Sequence, residues 1–159
     1  MVFPQRCAPV LDGFSTNPWK QRQGFIKDST SLPTDPSVMY ISNAKDARPF
    51  VAADLSEIRL LVDRVNMGIA TVSLAHATVA CGAETGWHRL ESTDEIYFVL
   101  SGRGLVFVGA DSREVRPGDT VWIPAGVPQK IRNLGDDALE FLCACGPAYR
   151  PECDVEVAS

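Results

Sequence analysis

The hydrophobic positions from Ile69 onward fall into short runs, several alternating with polar residues, which Gly, Pro and Asp interrupt at close intervals. Runs of this kind are typical of β-strands. After a β-branched stretch over Ile69–Val79, strands are predicted at about 88–90, 95–100, 104–108, 112–115, 120–123, 128–133 and 139–144. The pattern predicts an all-β fold, which a closed barrel or jelly roll would complete without exposed sheet edges.

The first third of the chain lacks this pattern. Residues 1–37 are rich in Pro, Ser, Thr and Gln, with scattered aromatic residues, and are expected to form an irregular arm on the barrel or on a second subunit, or a partly disordered tail. Val38–Ile41 is predicted as a first short strand. Asp54–Val62 has a pattern that a helix could also show, but its position just before the barrel motifs favours a strand plus a turn. The expected organisation is an arm with the first strand over 1–50, a barrel over 51–150 and a surface tail over 151–159.

Composition narrows the class of protein. The 159 residues suffice for one domain with a sizeable core, and the net charge of -5 argues against a nucleic-acid partner. No apolar run approaches the length of about 20 residues that spans a bilayer, and the N-terminus lacks the apolar stretch of a secretory signal. The cytoplasm is therefore the expected location. The odd number of cysteines, five, favours reduced thiols over a disulfide framework.

Two stretches of the chain combine glycines with potential ligands at fixed positions. They contain Gly86, His88, Glu95 and Gly102, and then Gly118, Pro124, Gly126, Gln129 and Asn133. This arrangement resembles the two motifs of the cupin superfamily, and the resemblance covers about residues 55–150. It implies a single-domain, jelly-roll β-barrel and a homodimer.

The resemblance places candidate metal ligands on three strands. His88 stands where the family has its first histidine and Glu95 where it has its glutamate, whereas Leu90 and Gln129 replace the second and third histidines. His88, Glu95 and Gln129 together offer donors for zinc, manganese, nickel or iron. The chain has only two histidines, so one subunit cannot supply the three imidazoles typical of iron-dependent cupins. The alternative is a metal-free site in which His88 and Glu95 form an acid/base pair.

Strand alternation places His88 and Leu90 on one strand face, and Glu95 and Tyr97 on one face of the next strand. The register of the cupin family then implies that His88, Glu95, Tyr97 and Gln129 converge inside the barrel mouth. We expect a small-molecule enzyme with non-redox chemistry, an isomerase, cyclase or lyase. His88 would be ligand or general base, Glu95 ligand or orienting acid, Gln129 ligand or substrate hydrogen-bonder, and Tyr97 general acid or a structural partner of Gln129. The alternatives are a cupin that binds a small ligand without turnover, and a metal-dependent dioxygenase with an altered site.

Three further residues have side chains that can take part in catalysis or metal binding. His76 lies in the strand before His88 and is expected to point outward or into an interface. Cys143 and Cys145 share a strand face and are expected to be small buried wall residues, because no second pair of cysteines accompanies them.

Overall fold

The computed structural model describes residues 39–158, which form two antiparallel sheets facing each other. The strands are β1 Phe50–Val51, β2 Glu57–Val62, β3 Ser73–Val79, β4 His88–Leu90, β5 Asp94–Ser101, β6 Gly104–Val108, β7 Asp111–Val115, β8 Thr120–Ile123, β9 Gln129–Asn133, β10 Leu139–Gly146 and β11 Asp154–Glu156. One sheet has the order β1-β2-β3-β10-β5-β8 and the other the order β11-β4-β9-β6-β7. The all-β jelly roll is confirmed.

Strand β5 shows how the alternation builds the barrel. Glu95, Tyr97 and Val99 are buried between the sheets, whereas Ile96 and Phe98 on the opposite face are each 42% exposed. Facing strands supply the rest of the core, of which the largest fully buried apolar side chains are Phe141, Ile123, Ile131 and Leu139. The core therefore lies between the two sheets, as side-chain alternation in a two-sheet fold requires. The homodimer remains a prediction.

Glycine and asparagine positions of the motifs have structural roles. Gly102, between β5 and β6, has a φ of +85°, and a Cβ there would lie 2.8 Å from the Ala138 carbonyl oxygen. Only glycine tolerates both conditions without strain. Asn133 is buried, and its Nδ2 lies 2.8–3.1 Å from the carbonyl oxygens of Val79, Ala80 and Asp137. Asn133 therefore joins the end of β3 to the β9–β10 turn.

The strands between β4 and β10 start and end within two residues of their predicted bounds, and Asp54–Val62 contains the predicted turn and strand. The prediction of a first strand at Val38–Ile41 is wrong over its described part, 39–41, which forms no strand, with Met39 and Ile41 at least 80% exposed. The first strand is Phe50–Val51 instead, which pairs with β2. β-propensity alone gave the wrong choice, because a strand also needs a neighbour with which to pair.

The C-terminal segment is more than a surface tail. A 3-10 helix over Pro151–Cys153 leads into β11, which pairs with β4 so that Asp154 lies opposite Leu90 and Glu156 opposite His88. Cys153 is buried beside Leu90. Acidic residues have low strand propensity, and pairing with β4 overrides it here. The arm over residues 1–37 lies outside the described residues, and within 39–158 no helix has the length and apolar character needed to cross a bilayer.

Candidate functional site

A cavity of about 920 Å³ opens between the two sheets. His88, Leu90, Glu95 and Tyr97 line its floor and are buried. Its exposed lining residues belong to the β2–β3 loop and the C-terminal segment, and they are Arg64, Val65, Arg150 and Glu152. The volume suits a small organic molecule, and three of the four residues expected to converge in the barrel do line the cavity.

The orientation of His88 is set by its backbone surroundings. It occupies the first position of β4, from which it and Leu90 face the cavity. His88 Nδ1 lies 3.0 Å from the carbonyl oxygen of Gly86. A carbonyl oxygen can only accept, so Nδ1 carries the proton in the neutral ring. Nε2, which has no hydrogen-bond partner among the described residues, is then the atom available for proton transfer or ligation.

Burial lowers the pKa of His88, but the carboxylate of Asp54, the hydrogen bond to Gly86 and the carboxylates of Asp154 and Glu95 outweigh it, so the pKa lies above its ordinary value. Sequence reasoning missed Asp54 and Asp154. Asp54 precedes β2 and Asp154 begins β11, so neither belonged to a strand whose facing could be predicted. No sequence motif contains them. They reach the cavity only because the segment before β2 and the C-terminal strand β11 pack against the barrel.

Glu95 is held by Gln129. Gln129 Nε2 donates to Glu95 Oε2 at 2.6 Å, and the Cys145 thiol lies 3.6 Å from Glu95 Oε1. Burial raises the pKa of Glu95, and the contacts with Gln129 and His88 only partly oppose it. Gln129 is fully buried behind Glu95 and does not line the cavity, and its Oε1 is a buried atom without a partner among the described residues. Glu95 is thus a cavity residue, and Gln129 its support.

Tyr97 presents a protonated hydroxyl. Its ring packs against Phe141 with the ring centroids 4.7 Å apart, and its hydroxyl has no hydrogen bond within residues 39–158. The alternative in which Tyr97 bonds Gln129 is therefore not realised, because Gln129 Nε2 donates to Glu95 and Gln129 Oε1 has no partner among the described residues. Burial raises the pKa of Tyr97 far above its ordinary value, so the phenol stays protonated near neutral pH and acts as a hydrogen-bond donor.

Cys143 and Cys145 line the cavity wall beside Phe141, and both are free thiols. Burial raises the pKa of both, so neither forms the thiolate that nucleophilic or metal chemistry needs. Cys145 is buried, as expected, and Cys143 is half-buried. His76 lies on the opposite face of its sheet, as expected, with Nε2 3.1 Å from Glu140 Oε2.

The donor set fits a metal ion poorly. No group of three or more His, Cys, Asp or Glu side chains within 39–158 could hold a metal. Leu90 takes the place of a ligand, and Gln129 directs its amide nitrogen, which cannot ligate, at Glu95. His88 Nε2 and the Glu95 carboxylate remain as donors, fewer than the three or more protein ligands usual for a transition metal.

Known proteins resemble this chain over the barrel. The "Cupin domain" family model matches residues 75–145. An uncharacterized protein of Methanocaldococcus jannaschii is 40% identical over 111 residues, which are 69% of this chain and 87% of that protein.

Solved structures agree on the fold. A predicted oxalate decarboxylase of Thermotoga maritima superposes with a TM-score of 0.62 at 22% identity, covering 68% of this chain and 99% of that one. A histidine-to-glutamine variant of Streptomyces PAC13 with uridine gives 0.62 at 13% identity, covering 76% and 92%. The oxalate decarboxylase of Bacillus subtilis, a further neighbour, has Mn(II) centres, so the fold itself is compatible with a divalent metal. The chain belongs to the cupin superfamily.

Proposed function

We propose that this cupin is a small-molecule enzyme that performs non-redox chemistry, isomerisation, cyclisation or elimination, with His88 as its acid/base group. The observation that carries the proposal is the arrangement of His88, whose Nδ1 is fixed on the Gly86 carbonyl oxygen while Nε2 faces the cavity without a partner among residues 39–158. Its pKa is raised from 6.5, which moves it toward neutral pH, where an imidazole both accepts and gives protons efficiently.

The proton transfers balance without an oxidant or reductant. His88 Nε2 accepts a proton from a substrate carbon, and the electron pair of the broken C–H bond moves into an adjacent carbonyl group, forming an enolate. The Tyr97 hydroxyl, which stays protonated, donates a hydrogen bond to the developing oxyanion. Return of the proton to a carbon completes an isomerisation. In an elimination, the enolate electron pair re-forms the carbonyl group while a C=C bond forms and the bond from the β-carbon to an oxygen substituent breaks. The proton on His88 passes to the departing oxygen atom, which restores neutral His88.

Glu95 has a positioning role in this scheme. Its carboxyl group is buried, bonded to Gln129 and electrostatically coupled to His88. The Glu95 carboxylate therefore stabilises, through its electrostatic interaction, the imidazolium that His88 forms during proton transfer, as the acidic partner of a catalytic histidine does.

A second candidate is a cupin that binds a small ligand without turnover. It is favoured by the engagement of Glu95 with Gln129 and Cys145, which leaves His88 Nε2 and the Tyr97 hydroxyl as the floor atoms without a hydrogen bond within residues 39–158. Such a protein would return its ligand chemically unchanged after long incubation.

Proton exchange separates the two candidates. We would incubate chelator-treated protein in deuterium oxide with a panel of hydroxy and keto acids, sugars and their phosphates, and follow carbon-bound deuterium and product formation by NMR. Turnover or exchange that is lost in His88→Gln and kept in His76→Gln supports the proposal, because His76 lies outside the cavity. Activity that persists unchanged in His88→Gln contradicts it.

A further inference from the structure

The rim of the cavity carries two arginines that have no ion-pair partner within residues 39–158. Arg64 lies in the loop between β2 and β3, Arg150 lies between β10 and the 3-10 helix, and both line the cavity. Both are exposed, whereas His88 and Glu95 are buried. The arginines therefore stand at the opening through which a ligand reaches the floor.

The two segments that carry these arginines are bonded to each other. The Tyr149 backbone N–H donates to Ser73 Oγ at 2.9 Å, and the Ala148 N–H donates to the Ala70 carbonyl oxygen at 3.1 Å. Arg150 follows directly on this junction. The backbone on both sides of the opening is thus fixed before a ligand arrives, which lowers the ordering cost of binding.

Acidic residues also line the cavity, and most of them already have hydrogen-bond donors. Asp63 Oδ1 accepts from the backbone N–H groups of Val65 and Asn66 at 2.8 and 2.6 Å, which also shapes the loop that carries Arg64. Asp154 Oδ2 accepts from the Tyr149 hydroxyl at 2.9 Å.

Asp54 and Glu95 are similarly engaged. Asp54 Oδ1 accepts from the Ser56 hydroxyl at 2.7 Å, and Glu95 from Gln129. Burial raises the pKa of both Glu95 and Asp154. Glu152 is the remaining exposed carboxylate of the lining. Four of the five acidic residues of the lining therefore accept a hydrogen bond, whereas Arg64 and Arg150 have no ion-pair partner in the described part of the chain.

We propose that the substrate carries a carboxylate or phosphate group, which Arg64 and Arg150 bind at the rim while its reacting carbon lies at His88. This substrate class rests on the proposed function. Guanidinium groups match both anions, because their N–H donors lie in a plane that two oxygens can meet together. The apolar wall, with Leu60, Leu90 and Phe141, accommodates the uncharged part of the molecule.

Calorimetric binding tests the anion site without requiring turnover. The probes are benzoate, phenyl phosphate and neutral benzamide, which share a ring and differ in charge. They are titrated into the unmodified full-length chain and into Arg64→Gln, Arg150→Gln and Arg113→Gln. Arg113 is a matched control, because it is exposed on β7, pairs with Asp111 and does not line the cavity. The stronger of the two anions identifies carboxylate or phosphate as the recognised group.

We expect at least one anion to bind, benzamide to bind more weakly, and each rim variant to weaken the anion about tenfold while Arg113→Gln leaves it unchanged. Absence of anion binding to the unmodified chain, equal binding of benzamide, or unchanged binding by both rim variants overturns the proposal. The His88→Gln variant separates the two proposals. Anion binding that survives in it, with turnover also unaffected, overturns only the role of His88, whereas normal His88-dependent turnover without anion binding overturns only the substrate class.

Discussion

Gln129 donates its amide nitrogen to the Glu95 carboxylate over 2.6 Å, at a position that is fully buried. A glutamine ligates a metal through its amide oxygen, whereas here the amide nitrogen of Gln129 points at the Glu95 carboxylate. The pair is better suited to holding a carboxyl group of raised pKa beside a histidine than to binding a cation.

We expect the protein purified without chelator to contain much less than one equivalent of zinc, manganese, nickel or iron, because His88 and Glu95 supply too few donors. Elemental analysis of the wild-type protein and of His88→Ala and Gln129→Ala checks this. Near-stoichiometric metal in the wild type that is lost in both variants would establish the His88, Glu95 and Gln129 ligand set and contradict the expectation.

Replacement of Tyr97 by phenylalanine should separate chemistry from packing. The ring contact with Phe141 is retained, and the hydroxyl has no hydrogen bond within residues 39–158 to lose, so we expect the free energy of unfolding to change by less than about 1 kcal/mol. Loss of an oxyanion donor should lower kcat about 100-fold. Steady-state kinetics on a substrate found by the exchange screen, with urea unfolding as the stability measurement, tests both parts. A kcat equal to that of the wild type would remove Tyr97 from the mechanism.

The raised pKa of Glu95 makes stability depend on pH with a definite sign. Burial raises this pKa above 4.5, so the folded protein holds the proton more tightly than the unfolded chain does. Between 4.5 and the folded pKa, the free energy of unfolding therefore falls as pH rises. Glu95→Gln removes this contribution and should flatten the dependence measured by urea unfolding from about pH 5 to pH 8.

Glu91→Gln is the matched control for that series, because Glu91 is exposed and pairs with Arg89 at the surface. Surface pairs of this kind contribute about 0–1 kcal/mol, so its curve should follow the wild type. A Glu95→Gln curve that also runs parallel to the wild type would show that burial does not perturb this carboxyl group.

The barrel strands could be predicted from the sequence because local alternation and glycine-marked turns define them. Gly102 illustrates this, since its positive φ and close approach to Ala138 admit no side chain. The placement of His88, Glu95 and Tyr97 in the cavity could be predicted from the same alternation together with the register of the cupin family. Gln129 also lies on the inner side of its strand, but only the packing shows that Glu95 stands between it and the cavity.

The rest of the site depends on contacts that no local pattern encodes. Asp154 reaches the cavity because β11 pairs with β4, and its acidic, three-residue strand has no propensity signal. Arg64 and Arg150 lie in loops whose positions depend on hydrogen bonds between distant segments. Residues of this kind can be identified only from the folded structure, in which the β2–β3 loop and the segment after β10 lie around one opening.

The central claim is that His88 is a metal-free acid/base group with a fixed tautomer, and histidine NMR tests it most directly. The chain has only two histidines, so His76→Gln assigns both ring systems in a long-range ¹⁵N spectrum recorded across pH. We predict that neutral His88 carries its proton on Nδ1, that it titrates above 6.5, and that Asp54→Asn lowers this pKa. A proton on Nε2, a pKa below 6.5, or a ring that fails to titrate because a metal holds it would contradict the account.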